Sequence, residues 1–437
     1  ELFELKFAQS ADVMYITHPN HEVMKLSRTG HTSWTLAEVD FTDGPYLATN
    51  STTTTLTPAQ SATGSGVNIT ASAVTGINGG SGFLATDVGR IISFNSGKAK
   101  ITSRTSTTVV VCTITTAFAN TNATAAFSLG AFSDTTGHPS CISFYEQRLV
   151  FAGTISEPQT VFFSKAGDYE NMTSGTNADD AMVYTIAANQ VNVIRYLKAQ
   201  RTLVIGTTAA EYTVSADGTD ASITPTNITI KRQSSYGSAN VDAVTAGNAI
   251  LFLQKAKRKI RELAYNFDSD SYVAPDLTIL NDTVTDSGIV QMEWQQEPDN
   301  ILWCVREDGQ LAALTYQRSE NVVSWHRHIL GGAFGSGNSV VESIASISGD
   351  LNEDELWCIV KRTVNGATVR YVECFSDFDF DETASTDFKF LDSHLSYSGS
   401  STTTLSGLSH LQGQTVSILA DGSVHANKVV NGSGQIT

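Results

Sequence analysis

Residues 300–316 read NILWCVREDGQLAALTY: a mostly apolar run, a turn built on Asp308-Gly309, and a second apolar run. Two short strands joined by Asp-Gly form a β-hairpin, because glycine takes the left-handed backbone that a tight turn demands. The same strand–turn–strand pattern occurs at 12–28 (DVMYITHPNHEVMKLSR), 148–164 (RLVFAGTISEPQTVFFS) and 201–215 (RTLVIGTTAAEYTVS). It returns at 248–265 (NAILFLQKAKRKIRELAY) and 355–373 (ELWCIVKRTVNGATVRYVE). Counted from Val13, Leu149, Leu203, Ile250, Leu302 and Leu356, the intervals are 136, 54, 47, 52 and 54 residues. Four near-equal spacings and one long one describe a repeat that carries an insertion. Units of four short strands, at roughly 40–50 residues each, are the signature of a β-propeller. Radial repetition also leaves few long strand edges open to pairing.

Composition agrees with an all-β chain. Hydrophobic residues make up 41% of the 437, but charged residues only 16%, well below the usual quarter. Ser, Thr, Asn and Gly fill the gap, as in many short strands joined by polar turns. No stretch sustains the i, i+3, i+4, i+7 apolar spacing of an amphipathic helix. The net charge of −17 argues against a protein that grips nucleic acid by neutralising phosphates. It suits one that must let DNA pass without holding it. No run approaches the 18 or so apolar residues of a membrane-spanning helix, and no cleavable leader opens the chain. Cys112, Cys141, Cys304, Cys358 and Cys374 form no CxxC pair. Cys304 and Cys358 each follow a tryptophan in an apolar strand and read as small buried hydrophobes, with assembly in a reducing compartment.

Four segments are expected. Residues 1–46 hold the first propeller blade, and 47–137 a Ser/Thr-rich insertion. The insertion contains runs such as RIISF and TVVVCTI that can bury a face, so a small β-domain is expected there and not a disordered linker. Residues 138–376 supply the remaining blades, about six in all. Residues 377–437 open a distal β-domain with DG and NG turns that the chain cuts off before it closes. With no initiator Met, the chain is expected to be a piece of a longer polypeptide.

Catalytic signatures are missing: there is no GxSxG, HExxH or P-loop, and Gly97-Lys98 is followed by Ala99 where a phosphate loop needs Ser or Thr. Glu293, Glu297 and Asp299 flank a turn after Trp294 and read as a solvated loop; an acid/base pair is defined by separation in space, which spacing in sequence does not give. No catalytic residue, metal ligand or cofactor is therefore assigned. Asp377, Asp379 and Asp381 mimic the start of a calcium loop, but Glu382 stands at its glycine and Phe388 at its twelfth position. His326 and His328 can share a strand face, and His18 and His21 can meet across a turn. In both cases packing against neighbours is the reading preferred over a metal. The basic cluster Lys255, Lys257, Arg258, Lys259 and Arg261 stands out in an acidic chain. A solvated hairpin turn is the preferred reading. If the hairpin is extended, four of the five project from one face, which makes contact with a neighbouring subunit the better functional reading and contact with DNA the lesser one. Trp303 and Trp357 occupy equivalent repeat positions and are both expected to be buried.

Several stretches, in this order, resemble the tail nozzle proteins of short-tailed phages, the tail tubular protein B family. They are residues 11–36 (ADVMYITHPNHEVMKLSRTGHTSWTL), 144–172 (FYEQRLVFAGTISEPQTVFFSKAGDYENM), 179–197 (DDAMVYTIAANQVNVIRYL) and 231–244 (KRQSSYGSANVDAV). They continue through 265–280 (YNFDSDSYVAPDLTIL), Trp325–His328 (WHRH) and 405–422 (LSGLSHLQGQTVSILADG). Together they are spread along most of the chain outside the insertion. The resemblance implies a structural virion protein and not an enzyme: a homohexameric ring below the head–tail adaptor, near tail fibres or spikes, whose lumen passes DNA without specific binding during genome ejection. It implies location in the virion tail after assembly in the host cytoplasm. The rival readings are a receptor- or glycan-binding tail module and, third, a depolymerase.

Overall fold

A computed structural model describes residues 1–188, 191–218, 221–349, 353–376 and 391–437. Its regular elements are β-strands and five single-turn 3-10 helices. Six of its sheets are antiparallel meanders whose strand order follows the chain, five with four strands and the sixth with three. In each, the hairpin legible in the sequence supplies the second and third strands. These are Val13–His18 with His21–Gly30, Arg148–Ala152 with Thr160–Phe163, and Leu203–Thr207 with Glu211–Ser215. The later three are Ala249–Leu253 with Ile260–Asn266, Ile301–Arg306 with Leu311–Gln317, and Asp354–Val364 with Ala367–Cys374. No two hairpins share a sheet. The fold is all-β with a propeller-like core, as the repeat spacing predicts.

Turn chemistry makes the hairpins. At Asn365-Gly366 both residues have positive φ, 49° and 77°, the type I′ geometry whose twist matches that of the flanking strands.

The chain divides into two compact units, Glu1–Asp242 with Tyr265–Val273, and Ala243–Ala264 with Ala274–Thr437. In the first unit, the opening strands of the first three sheets (Lys6–Ser10, Cys141–Tyr145 and Ile194–Ala199) lie side by side. In the second, the opening strands of the last three (Val244–Ala246, Ile289–Gln295 and Val340–Ser348) do the same. First strands gathered along one line, with later strands fanning outward, is blade geometry. Lys6 pins the first line together. Its buried ammonium lies 2.8 Å from Asp242, donates to the Arg195 carbonyl and meets the Cys141 sulfur at 3.9 Å. Burial pulls the Lys6 pKa down, but Asp242 outweighs it and leaves the group above its ordinary value.

Blades stack through apolar faces. Tyr15 and Val23 of the first sheet pack on Ile142, Leu149, Phe151 and Phe162 of the second. Trp303 and Val305 of the fifth pack on Leu356, Cys358 and Val360 of the sixth. Each large apolar side chain fully removed from water contributes roughly 1.5–3 kcal/mol. Trp303 is 5% exposed, but Trp357 is only half-buried, its indole N–H donating to Glu355 at 2.8 Å. The expectation for Trp357 fails where the series of blades ends. Leu356, Cys358 and Val360 face the fifth sheet, so Trp357, like Trp303, points away from the preceding sheet. Trp303 is covered there by the sixth sheet, whereas among the described residues no further blade sheet follows to cover Trp357 and Ile359.

Between the first two blade sheets stands a six-stranded sheet, ordered Phe127–Leu129, Ile91–Phe94, Gly97–Arg104, Val109–Thr116, Gly64–Ala71 and Leu56–Pro58. It has its own core, centred on Leu56, Ile69, Phe83, Ile92, Val110 and Phe127. The Arg90 guanidinium, sealed from solvent, lies 2.8 Å from the equally buried Asp87. Burial lowers the Arg90 pKa and Asp87 opposes that shift, which is what keeps a charge in an apolar core tolerable. At the C-terminal end, Thr415–Ala420 pairs with Ser423–Val429 and Leu405–Ser406 with Gln435–Ile436, around Leu408, Val430 and Ile436.

Candidate functional site

The basic cluster sits on the turn of the fourth hairpin. Gln254 N–H donates to the Lys259 carbonyl and Lys257 N–H to the Gln254 carbonyl, both at 2.8 Å. Lys257 has a φ of 62°, and the next strand begins only at Ile260. Alternation therefore stops across 255–259, and the single basic face expected from parity does not form. Lys259 lies 2.8 Å from Asp276. Burial raises the Asp276 pKa, but Lys259 and the Thr278 hydrogen bonds hold it below the usual carboxylate range. Arg261 donates to the Gln254 side chain at 2.8 Å and to the Ala274 carbonyl at 2.7 Å. Lys255 and Arg258 remain exposed, with Lys257 half-buried.

The histidine pairs are packed and hydrogen-bonded. His326 Nδ1 lies 2.7 Å from His328 Nε2, and His326 Nε2 3.1 Å from the Thr315 hydroxyl. Trp303 and Phe375 close over the His328 ring at centroid distances of 4.9 and 6.0 Å. With three of four ring nitrogens engaged, the pair does not converge on an ion. Burial lowers the pKa of both imidazoles, and at His328 the neighbouring His326 adds to it. His18 accepts from Asn20 N–H at 3.2 Å, so its other nitrogen donates to Glu4 at 3.1 Å. Among the described residues no three His, Cys, Asp or Glu side chains gather as a metal site. Glu297 and Asp299 are exposed and Glu293 half-buried. Asp377, Asp379, Asp381, Glu382 and Phe388 lie outside the described residues.

Two features were not singled out from sequence. The first is a pair of uncovered sheet faces. On the outer side of the first sheet, Phe7 pairs with Ile16 and Ile16 with Met24, while Met14, Leu26 and Leu36 continue the row. Phe7, Trp34 and Leu36 are 53%, 55% and 59% exposed. On the sixth sheet, Ile359 pairs with Val372 beside Trp357, and Ile347, Ile359 and Val372 are 50%, 38% and 69% exposed. Scattered surface apolar residues are normal, whereas contiguous ones mark contacts.

The second is a cleft of about 610 Å³ in the second unit, lined by Asn248, Trp294, Asn300, Tyr316, Gln317 and Arg318 among others. Trp294 packs edge-on against Tyr316, with ring centroids 6.3 Å apart. Arg318 is fixed by the nearly buried Glu262 at 2.9 Å and by Asn248 at 3.1 Å. Burial first, then Glu262, pushes the Tyr316 phenol well above its ordinary pKa.

No protein-family model matches the chain, and no curated protein matches it. Among solved structures, an auxiliary nutrient binding protein from Bacteroides thetaiotaomicron is similar at 7% identity and a TM-score of 0.32, over 72% of this chain and 85% of that one. The WD40 domain of Pan2 from Neurospora crassa is similar at 9% identity and a TM-score of 0.34, over 81% and 84%. A chain of a mitotic checkpoint complex is similar at 10% identity and a TM-score of 0.36, over 86% and 90%.

Proposed function

We propose that the chain is a structural virion subunit of the tail nozzle kind, assembling head to tail into a homo-oligomeric tube that DNA traverses during ejection. The observation that carries this is the pair of uncovered apolar faces, one on the first blade sheet and one on the sixth. Each chain offers one of each, both of the type that elsewhere in the molecule packs blade on blade. Joining the first sheet of one copy to the sixth of the next buries both, and such a heterologous contact makes a ring when the rotation closes. The resemblance adds a ring of six, the head–tail adaptor and fibres or spikes as partners, and the virion tail as location. The charge of −17 supports a lumen that does not hold DNA. No catalytic step is part of the proposal.

Sedimentation velocity and negative-stain imaging test it. Rings of identical subunits are expected, and Trp34→Ser with Leu36→Ser should give monomers. A wild-type chain that stays monomeric at tens of micromolar overturns the assignment. The exposed Lys255 and Arg258 bear on the lumen: tight, steeply salt-dependent duplex binding, abolished by changing both to Ser, would overturn the non-adhesive channel. A second reading, a receptor- or glycan-binding module, is favoured by the Trp294 cleft and is compatible with the first.

A further inference from the structure

We propose that the Trp294 cleft is a saccharide-binding site whose ligand class is neutral, hydroxyl-rich oligosaccharide. The inference deepens the second reading and does not depend on ring assembly, because every lining residue belongs to one unit of one chain. At about 610 Å³ the cleft falls within the roughly 300–1,000 Å³ of small-molecule sites. Trp294 is half-buried, and Tyr316 packs against it at an interplanar angle of 73°, which fixes the indole. An aromatic face carries negative potential, and the C–H face of a sugar ring is its natural complement.

The polar groups around the indole are mostly amides. Asn248, Asn300 and Gln317 each offer a donor and an acceptor in one plane, a fit to neighbouring hydroxyls, which also donate and accept. They are already oriented: Asn300 donates to Gln317, Gln317 to Ser319 at 3.2 Å, and Arg318 to Asn248 at 3.1 Å. Arg318 decides the ligand's charge. Its guanidinium is compensated by Glu262 at 2.9 Å, so the cleft lacks the free positive charge that selects phosphate or carboxylate. In a chain of net charge −17, that balance disfavours nucleic acid, the other ligand that stacks on aromatic rings.

The test is a printed array of neutral hexose and N-acetylhexosamine oligosaccharides probed with the whole chain, followed by calorimetric titration of the hits. At least one oligosaccharide should bind at sub-millimolar Kd. Trp294→Ala should weaken it by about tenfold or more, and Trp294→Phe should restore part of the loss. Because Trp294 also packs on Tyr316, Asn300→Ala is the companion variant; it should weaken binding while the melting temperature holds. Absence of any hit overturns the proposal, as does binding that both Trp294→Ala and Asn300→Ala leave unchanged. A preference for single-stranded oligothymidine over every sugar also overturns it. Failure of ring assembly would show in sedimentation and leave the array result unaffected, so the two proposals fail separately.

Discussion

The inner blades and the end blades are built from the same hairpin and differ in what covers them. Arg148–Ala152, Leu203–Thr207 and Ala249–Leu253 are buried at every residue, on both faces of the strand. In the first sheet, Ser33–Glu38 is exposed at all but Ala37, and in the sixth, Ala367–Cys374 alternates between half-buried and exposed. The strand is local grammar, while the number of covered faces is a property of position in the series. A strand covered on both faces reads as an unbroken apolar run. The end sheets are instructive because their outer faces keep Phe7, Met14, Ile16, Leu26, Ile359 and Val372 although these residues are exposed or only half-buried.

The largest expected effect contrasts two tryptophans. Trp303→Ala should cost roughly 3–5 kcal/mol through the cavity it opens, and Trp357→Ala no more than about 1.5 kcal/mol. Chemical denaturation of both variants measures this, and equal losses would break the distinction between covered and uncovered faces. Next comes the Lys6 pin. Asp242→Ala strands a buried ammonium and should cost about 3 kcal/mol. Lys6→Met removes the charge with the partner and should cost less. The reverse order in thermal melts would show that the three first strands are held by something else.

A smaller effect on stability, with a larger one on assembly, belongs to the first sheet. Trp34→Ser with Leu36→Ser should move monomer stability by only about 0.5 kcal/mol per site while abolishing self-association. A large drop in stability would mean that this face is core and not interface. The smallest effect is pH-dependent. His326 and His328 have folded pKa values below the unfolded one, so the unfolded chain binds protons first as pH falls. Their contribution is complete above the unfolded histidine value near 6.5 and is lost as pH drops through the folded values. Melting temperature should therefore fall between neutral pH and about pH 5, and the fall should shrink in a His326→Gln, His328→Gln variant. An unchanged profile would place the acid sensitivity elsewhere.

The blades were legible because hairpins are local: Asp308-Gly309 and Asn365-Gly366 announce turns, and their spacing announces the repeat. Local reading failed where the backbone turns left-handed or the series of blades ends. The positive φ at Lys257 ended the alternation assumed for the basic cluster, and Trp357, of the same parity as Trp303, has no further blade sheet after it among the described residues. Long-range assembly left no trace in sequence. Lys6 meets Cys141, Arg195 and Asp242 across distant stretches of chain, and Asn248 joins Trp294 and Tyr316 only after two sheets pack. Trp294 was visible as the residue before a polar turn, and its cleft was not.

The inserted sheet leaves and re-enters the blade series through neighbouring backbone. Leu47 N–H donates to the Leu129 carbonyl and Ala131 N–H to the Pro45 carbonyl, each at 2.8 Å. Everything between those rungs is, to the host, a loop whose ends are already joined, so its length adds almost no closure entropy. The insert has a core of its own and is tied to the host by these rungs and by Lys98, 2.6 Å from the nearly buried Asp43. Cutting at those rungs and splicing in a short turn, or a foreign domain with adjacent termini, should leave the blades folding as before, which makes this seam a ready port for display and for evolutionary exchange.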